Sequence, residues 1–239
     1  MYYYLSDHIY IAGFRDEIIL LDTKKDKYSI FSGPISLLLS QSVNIDTSHT
    51  DKFLRHQSSY FQKLIDDNIL TRKKVPYPFY IDRKIHSNGV SNVDWSLPLG
   101  LKKVPLSLQV YEALIVLIKV NFHIKFRGFY RTIQLIKKSR KSKLNYIIPQ
   151  EENLKELAEI VNKACLIYPT RTKCLEWAMT YVLLALKRQW RCNLEIGVQN
   201  YPFLAHAWVE CDGKVILDSP DLRKGLALIL NEPFRRLKI

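Results

Sequence analysis

At 239 residues, with 47% hydrophobic and 25% charged side chains and 8 glycines, the chain has a globular composition that excludes a disordered or repeat protein. Lys and Arg number 36 against 23 Asp and Glu, a formal charge of +13, so anionic partners are expected: nucleic acid, nucleotide, acidic peptide or lipid surface. Nine of these cations, Lys119, Lys125, Arg127, Arg131, Lys137, Lys138, Arg140, Lys141 and Lys143, lie in a span without an acid between Glu112 and Glu151.

Taken in chain order, the first 72 residues predict strands followed by short helices. A tyrosine-rich extended stretch runs from Tyr2 to Ile11, and two further strands, Ile18 to Asp22 and Tyr28 to Phe31, flank a polar turn. Ser32, Gly33 and Pro34 fit a helix start, with helical signals at Ile35 to Ser40 and Phe53 to Ile69. Residues 73–104 hold little periodicity and read as a linker. A second domain, 105–239, begins with the basic helical part. Its apolar run Ala113 to Ile118 is interrupted by Lys119, far short of the ~20 residues that span a bilayer. An amphipathic surface helix remains open there.

After another amphipathic helix, Glu151 to Leu166, comes the clearest one. Leu175, Ala178, Met179, Val182 and Leu186 recur at i, i+3, i+4, i+7 and i+11, behind a threonine cap placed at Thr172. Cys174 then falls in the first turn, where free N–H groups and the helix dipole favour a thiolate. An ordinary buried thiol is the competing reading. Leu194, Ile196 and Val198 alternate on one strand, and the next carries His206 beside Trp208. Two registers are open for the following turn. With a two-residue loop Cys211 faces Lys214, and His206 faces Ser219. With Cys211, Asp212 and Gly213 as a bulged three-residue loop, Glu210 faces Lys214 and His206 meets Asp218, so this register is the one expected of an orienting pair. Cysteine, histidine and aspartate would then supply nucleophile, base and orienter.

The strings "TKCLEWAMTYVLLALKR" and "EIGVQNYPFLAHAWVECDGKVILDSPD" resemble the transglutaminase-like peptidase domain of the lasso-peptide biosynthesis B proteins, over about Ile160 to the C-terminus. "DEIILLDTKKDKYSIFSGPISLLL" is similar to the PqqD-like recognition domain fused to many of them. The resemblance implies an α+β protein: a small three-stranded, winged-helix-like domain (1–72) joined to a transglutaminase-like, papain-like cysteine peptidase domain with an antiparallel sheet. It implies Cys174 as nucleophile, His206 as base and Asp218 as third member. It also implies leader-peptide binding by strand addition at Tyr28, Ser29, Ile30 and Phe31, with Phe61 and Leu64 on the helix beside them.

The implied partners are the precursor's leader and an asparagine-synthetase-like lasso cyclase, with ATP entering through the cyclase. The chain shows no Walker loop, and its four cysteines show no metal-ligand spacing, so no bound cofactor or metal is expected. The basic segment 119–143 is read as a docking surface, with peripheral membrane contact as a further use. No signal peptide is legible, so a cytoplasmic protein with reduced thiols is expected. A transamidase of the same fold is the second reading. A basic nucleic-acid-binding protein is the third, and it leaves the three residues unexplained.

Overall fold

The computed structural model describes residues 2–44, 58–91, 96–97 and 105–238. Strands β1 (Tyr2–Leu5), β2 (Ile9–Phe14), β3 (Glu17–Asp22) and β4 (Lys27–Phe31) come first. The Tyr2-to-Ile11 stretch is therefore two strands rather than one. The chain turns at Ser6–His8, and β1 leaves to pair with β5 (Leu70–Lys73). Arg15, with φ +54°, sits in the β2–β3 turn. Asp22 shapes the next turn, its carboxylate accepting the N–H groups of Lys24 and Lys25 at 3.0 and 3.1 Å. The sheet order is β4-β3-β2-β6, where β6 (Arg83–Lys84) runs parallel to β2.

Strands β2 and β3 are buried on both faces, which explains their near-continuous apolar sequence. Ile9, Ile11, Ile18 and Leu20 meet helix α1 (Gly33–Asn44) and helix α2 (Ser58–Asp66) in one core cluster. Tyr10, Ala12, Phe14, Ile19 and Leu21 belong instead to a larger cluster shared with the C-terminal part. Residues 53–57 of the expected second helix lie outside the described residues. The segment read as a linker contributes β6 and the buried side chains Tyr77 and Ile81.

Helix α3 (Leu108–Phe122) starts at Ser107, whose hydroxyl accepts the Val110 N–H at 3.4 Å. A π turn (His123–Arg127) and Gly128, at φ +79°, lead into α4 (Gly128–Ser139). Helix α5 (Glu151–Ile167) and helix α6 (Cys174–Lys187) follow. Helix α6 is buried nearly all round, and even its polar groups are used: Trp177 donates to Asn162 at 2.7 Å and Tyr181 to the Leu154 carbonyl at 2.9 Å. The second sheet has the order β10-β7-β8-β9, from β7 (Cys192–Gln199), β8 (Leu204–Cys211), β9 (Lys214–Val215) and β10 (Ala227–Glu232). The short helix α7 (Leu222–Gly225) precedes β10. The architecture is α+β.

Polar ties fasten the two sheets together. Tyr10 donates to Glu232 at 2.9 Å, the Leu228 N–H to Asp82 at 2.8 Å, and Asn200 and Tyr201 to Glu17 at 2.6 and 2.9 Å. Each joins a residue before position 83 to one after 199, and each is buried or part-buried.

Gly197 on β7 pairs with His206 on β8. A Cβ there would lie 2.5 Å from the Trp208 ring and 2.8 Å from Leu226 Cβ, so the glycine makes room for the indole. Gly197→Ala should cost about 1–3 kcal/mol through overpacking. Denaturant titration of the two proteins measures this, and an unchanged midpoint would exclude it.

Candidate active site

Cys174 is the first residue of α6, half-buried, with a free thiol. The cap is Lys173 rather than Thr172. Thr172 is buried, and its hydroxyl makes no hydrogen bond to the helix end. Lys173 takes the extended backbone of a cap instead, and its N–H donates to Glu176 Oε2 at 3.1 Å. Cys174 therefore keeps the helix-start position expected of it, one residue after the cap.

His206 is buried on β8, and its Nε2 lies 2.7 Å from Asp218 Oδ2. The expected register is not the one that forms. Cys211 pairs with Lys214 and Glu210 with Val215, so the loop is the two-residue Asp212–Gly213 turn, with φ of +50° and +84°. Two positive φ values give the primed turn whose twist suits a hairpin, and a bulge is not needed. Continued, this ladder would put Ser219 across from His206. It stops instead after the Ile216 N–H donates to the Val209 carbonyl at 2.9 Å. Leu217, at φ +48°, then turns the chain out of the sheet. Asp218 thus reaches the imidazole from a bend, and its other oxygen accepts the Ser219 N–H at 2.8 Å.

Cys174 lies close enough to His206 for its thiol to act on the charge of the ring. Burial opposes charge on the ring, but Asp218 and Cys174 together outweigh it and hold the pKa at about 9. The ring is therefore an imidazolium at neutral pH. His206 thus meets Asp218 directly, and Cys174 is near enough to influence the ring.

Trp208 stacks beside His206 with ring centroids 6.1 Å apart and planes 28° apart. Its indole N–H donates to Glu195 at 3.0 Å, and Arg236, Arg223 and Asn231 reach the same buried carboxylate at 2.9, 3.2 and 2.9 Å. Burial pushes Glu195 up to about 7, the neighbouring Glu210 charge adds to this, and Arg236 pulls it back. Sequence reading missed this brace, because its members lie at 195, 208, 223, 231 and 236 and share no local pattern.

The expected leader-binding residues divide between two faces. Tyr28, Ser29, Ile30 and Phe31 form β4, the edge strand of its sheet. Tyr28 packs on Phe203 with centroids 5.2 Å apart. Its hydroxyl is pushed up to about 12 by burial first, then by the charges of Asp26 and Cys174, so Tyr28 stands within electrostatic reach of the thiol. Ile30 follows Tyr28 on that face and is exposed. Phe31 points the other way, into the cluster that buries Phe61 and Leu64 on α2. A wide cleft of about 820 Å³ between β1, α4 and the C-terminal segment includes none of Cys174, His206 and Asp218. Among the described residues no cluster of His, Cys, Asp and Glu suits a metal, and no helix is long and apolar enough to cross a membrane.

Residues 116–231, which hold all three of these residues, match the family model of the transglutaminase-like superfamily. The matched stretch is similar to transglutaminase-like domains. Over 234 residues, 92% of this chain and 96% of the other, it is 25% identical to the microcin J25-processing protein McjB of Escherichia coli. No solved structure matches.

Asp218→Asn should move the His206 pKa from about 9 back toward its ordinary value of 6.5, as histidine NMR titration would read. The folded pKa is the higher one, so the stability it confers is full below about pH 6.5 and is lost as pH rises through about 9. The wild-type melting temperature should therefore fall more steeply over that window than the variant's. Parallel melting curves would count against the coupling.

Proposed function

We propose that the chain is a cysteine endopeptidase that removes the leader from a ribosomally made lasso precursor, freeing the core peptide's N-terminus for ring closure. The observation that supports this most is the Cys174–His206–Asp218 grouping, with His206 held at about pKa 9 by the carboxylate it meets and the thiol nearby. The relative's name ties that protein to processing of microcin J25. In this reading residues 1–72 serve recognition, 73–104 connect, and 105–239 carry the chemistry.

The steps follow from the three side chains. The Cys174 thiolate attacks the scissile carbonyl carbon, and the C–S bond forms. The helix-start N–H of Cys174 faces the developing oxyanion, since the first N–H groups of a helix have no partner within it. As the C–N bond breaks, the imidazolium gives its proton to the leaving amine. Water then loses a proton to the neutral ring, attacks the thioester and restores the thiolate. Asp218 stays ionised throughout and holds the ring's other nitrogen.

The leader is proposed to add as a strand to the β4 edge, its chain running past Tyr28 and Ile30 toward Cys174. Phe31, Phe61 and Leu64 would support that edge from within the core. Ring closure belongs to a separate asparagine-synthetase-like cyclase, and ATP enters with it. The four free thiols suit the reducing cytoplasm, where we place the reaction. A transamidase, in which an amine resolves the thioester, is the second reading, favoured by the superfamily itself.

Cys174→Ala should lower leader release by about 10⁴-fold or more while leaving precursor affinity within about twofold. Release at the wild-type rate would overturn the assignment of Cys174. Mass spectrometry of the wild-type products separates the two chemistries: hydrolysis gives two fragments whose masses sum to the precursor plus water, whereas joined chains would establish transamidation.

A further inference from the structure

Helix α3 buries Val110, Ala113, Leu117 and Val120 against the core. On its other side Leu108, Tyr111, Ile115, Ile118 and Phe122 are each between 50% and 88% exposed, and Phe126 on the π turn extends the row. At about 100° per residue, the five on the helix fall within an arc of about 80°. The row is therefore a continuous apolar stripe about four turns long, which nothing among the described residues covers. Scattered surface apolar residues are ordinary, but an aligned set of six is not.

The charges around the stripe select what covers it. Lys119 lies about 20° beyond its edge, Lys125 sits over the Phe126 ring at 5.5 Å, and Arg127 follows. None of the three makes an ion pair among the described residues. Glu112, the helix's one acid, is engaged by Lys187 and Arg188. Two copies stacked through this face would set the same cations against one another with no acid between them. Recognition of a helix by a protein groove uses a few anchors at i, i+3, i+4 and i+7, whereas here six bulky side chains run on with aromatic rings near both ends. That pattern, apolar below and basic at the rim, fits an interfacial helix, whose side chains enter the headgroup boundary while lysines and arginines reach the phosphates.

We propose that the α3 stripe docks the protein on an anionic lipid surface, with Ile115, Ile118, Phe122 and Phe126 inserted and Lys119, Lys125 and Arg127 against the phosphates. The proposal is independent of the cleavage chemistry, because it concerns residues outside the site and is read by binding alone.

The test is co-sedimentation of the full chain with phosphatidylglycerol–phosphatidylcholine vesicles and with pure phosphatidylcholine vesicles. Binding should require the anionic lipid. Ile115→Glu with Phe122→Glu should abolish it, and Lys119→Gln with Lys125→Gln should weaken it about 25-fold, about fivefold for each cation removed. The lysine pair is fully solvent-facing, so it reads the proposal even if the first pair fails to fold. Absence of wild-type binding, equal binding to neutral vesicles, or unchanged binding by both variants would overturn it. So would a wild-type dimer that Ile115→Glu dissociates in sedimentation velocity without any vesicle binding, which would assign the face to a second copy.

Discussion

The hydrogen bond between His206 and Asp218 is the constraint on which the site depends. A histidine buried among Trp208 and the β7 backbone would ordinarily shed its proton, because a charge costs more in such surroundings than in water. The carboxylate at 2.7 Å reverses this, and the nearby Cys174 thiol adds to it. Placing that carboxylate needs a chain that leaves the sheet at the right residue. The ladder ends after Ile216, and Leu217 is driven into a left-handed conformation that a bulky residue seldom adopts. Such local strain persists when the surroundings over-determine it. Here the Ser219 N–H on one carboxylate oxygen and His206 on the other do so.

Beneath this bond lies a second polar assembly that keeps β8 from shifting. Glu195 is wholly buried, yet it receives Trp208, Asn231, Arg223 and Arg236. These come from neighbouring strands, from α7 and from the C-terminal segment. A buried carboxylate with four donors tolerates little movement, since withdrawing one leaves an under-satisfied charge. The Trp208 ring that it anchors lies against His206. Gly197, across the strand, is the space that lets the ring do so. The imidazole is thus fixed by its carboxylate partner and by an indole that is itself held from below.

The sequence pattern carried α6, β7 and β8, because each has a strong period and its side chains are sorted by one continuous core. The three residues proposed for the site sit at a helix start, on a strand and just past a turn. The details that escaped depend on interactions a local pattern does not encode. Thr172 has the residue type of a cap but its buried hydroxyl does not reach the helix end, and Lys173 caps through its backbone. Counting through the Asp212–Gly213 turn assumed an unbroken ladder, so it required a bulge to reach Asp218. The chain reaches it by abandoning the ladder. The proximity of Tyr28 to Cys174 was not legible at all, since it arises from one apolar sheet face packing into the core of residues more than a hundred positions away.

The basic segment illustrates why a charge run is not one surface. Lys137 lies 3.7 Å from buried Glu232, and Arg140 donates to the Pro233 carbonyl at 3.1 Å while covering the Phe234 ring. These two cations pin the C-terminal segment that supplies Arg236 to Glu195. They are part of the scaffold under the site. Lys119, Lys125 and Arg127, earlier in the same run, face solvent beside the apolar stripe of α3. The chain path makes the division: Lys119, Lys125 and Arg127 lie on α3 and the π turn, whereas Lys137 lies on α4 and Arg140 just past it. A uniform excess of positive charge in sequence therefore resolves into an internal brace and an external contact surface.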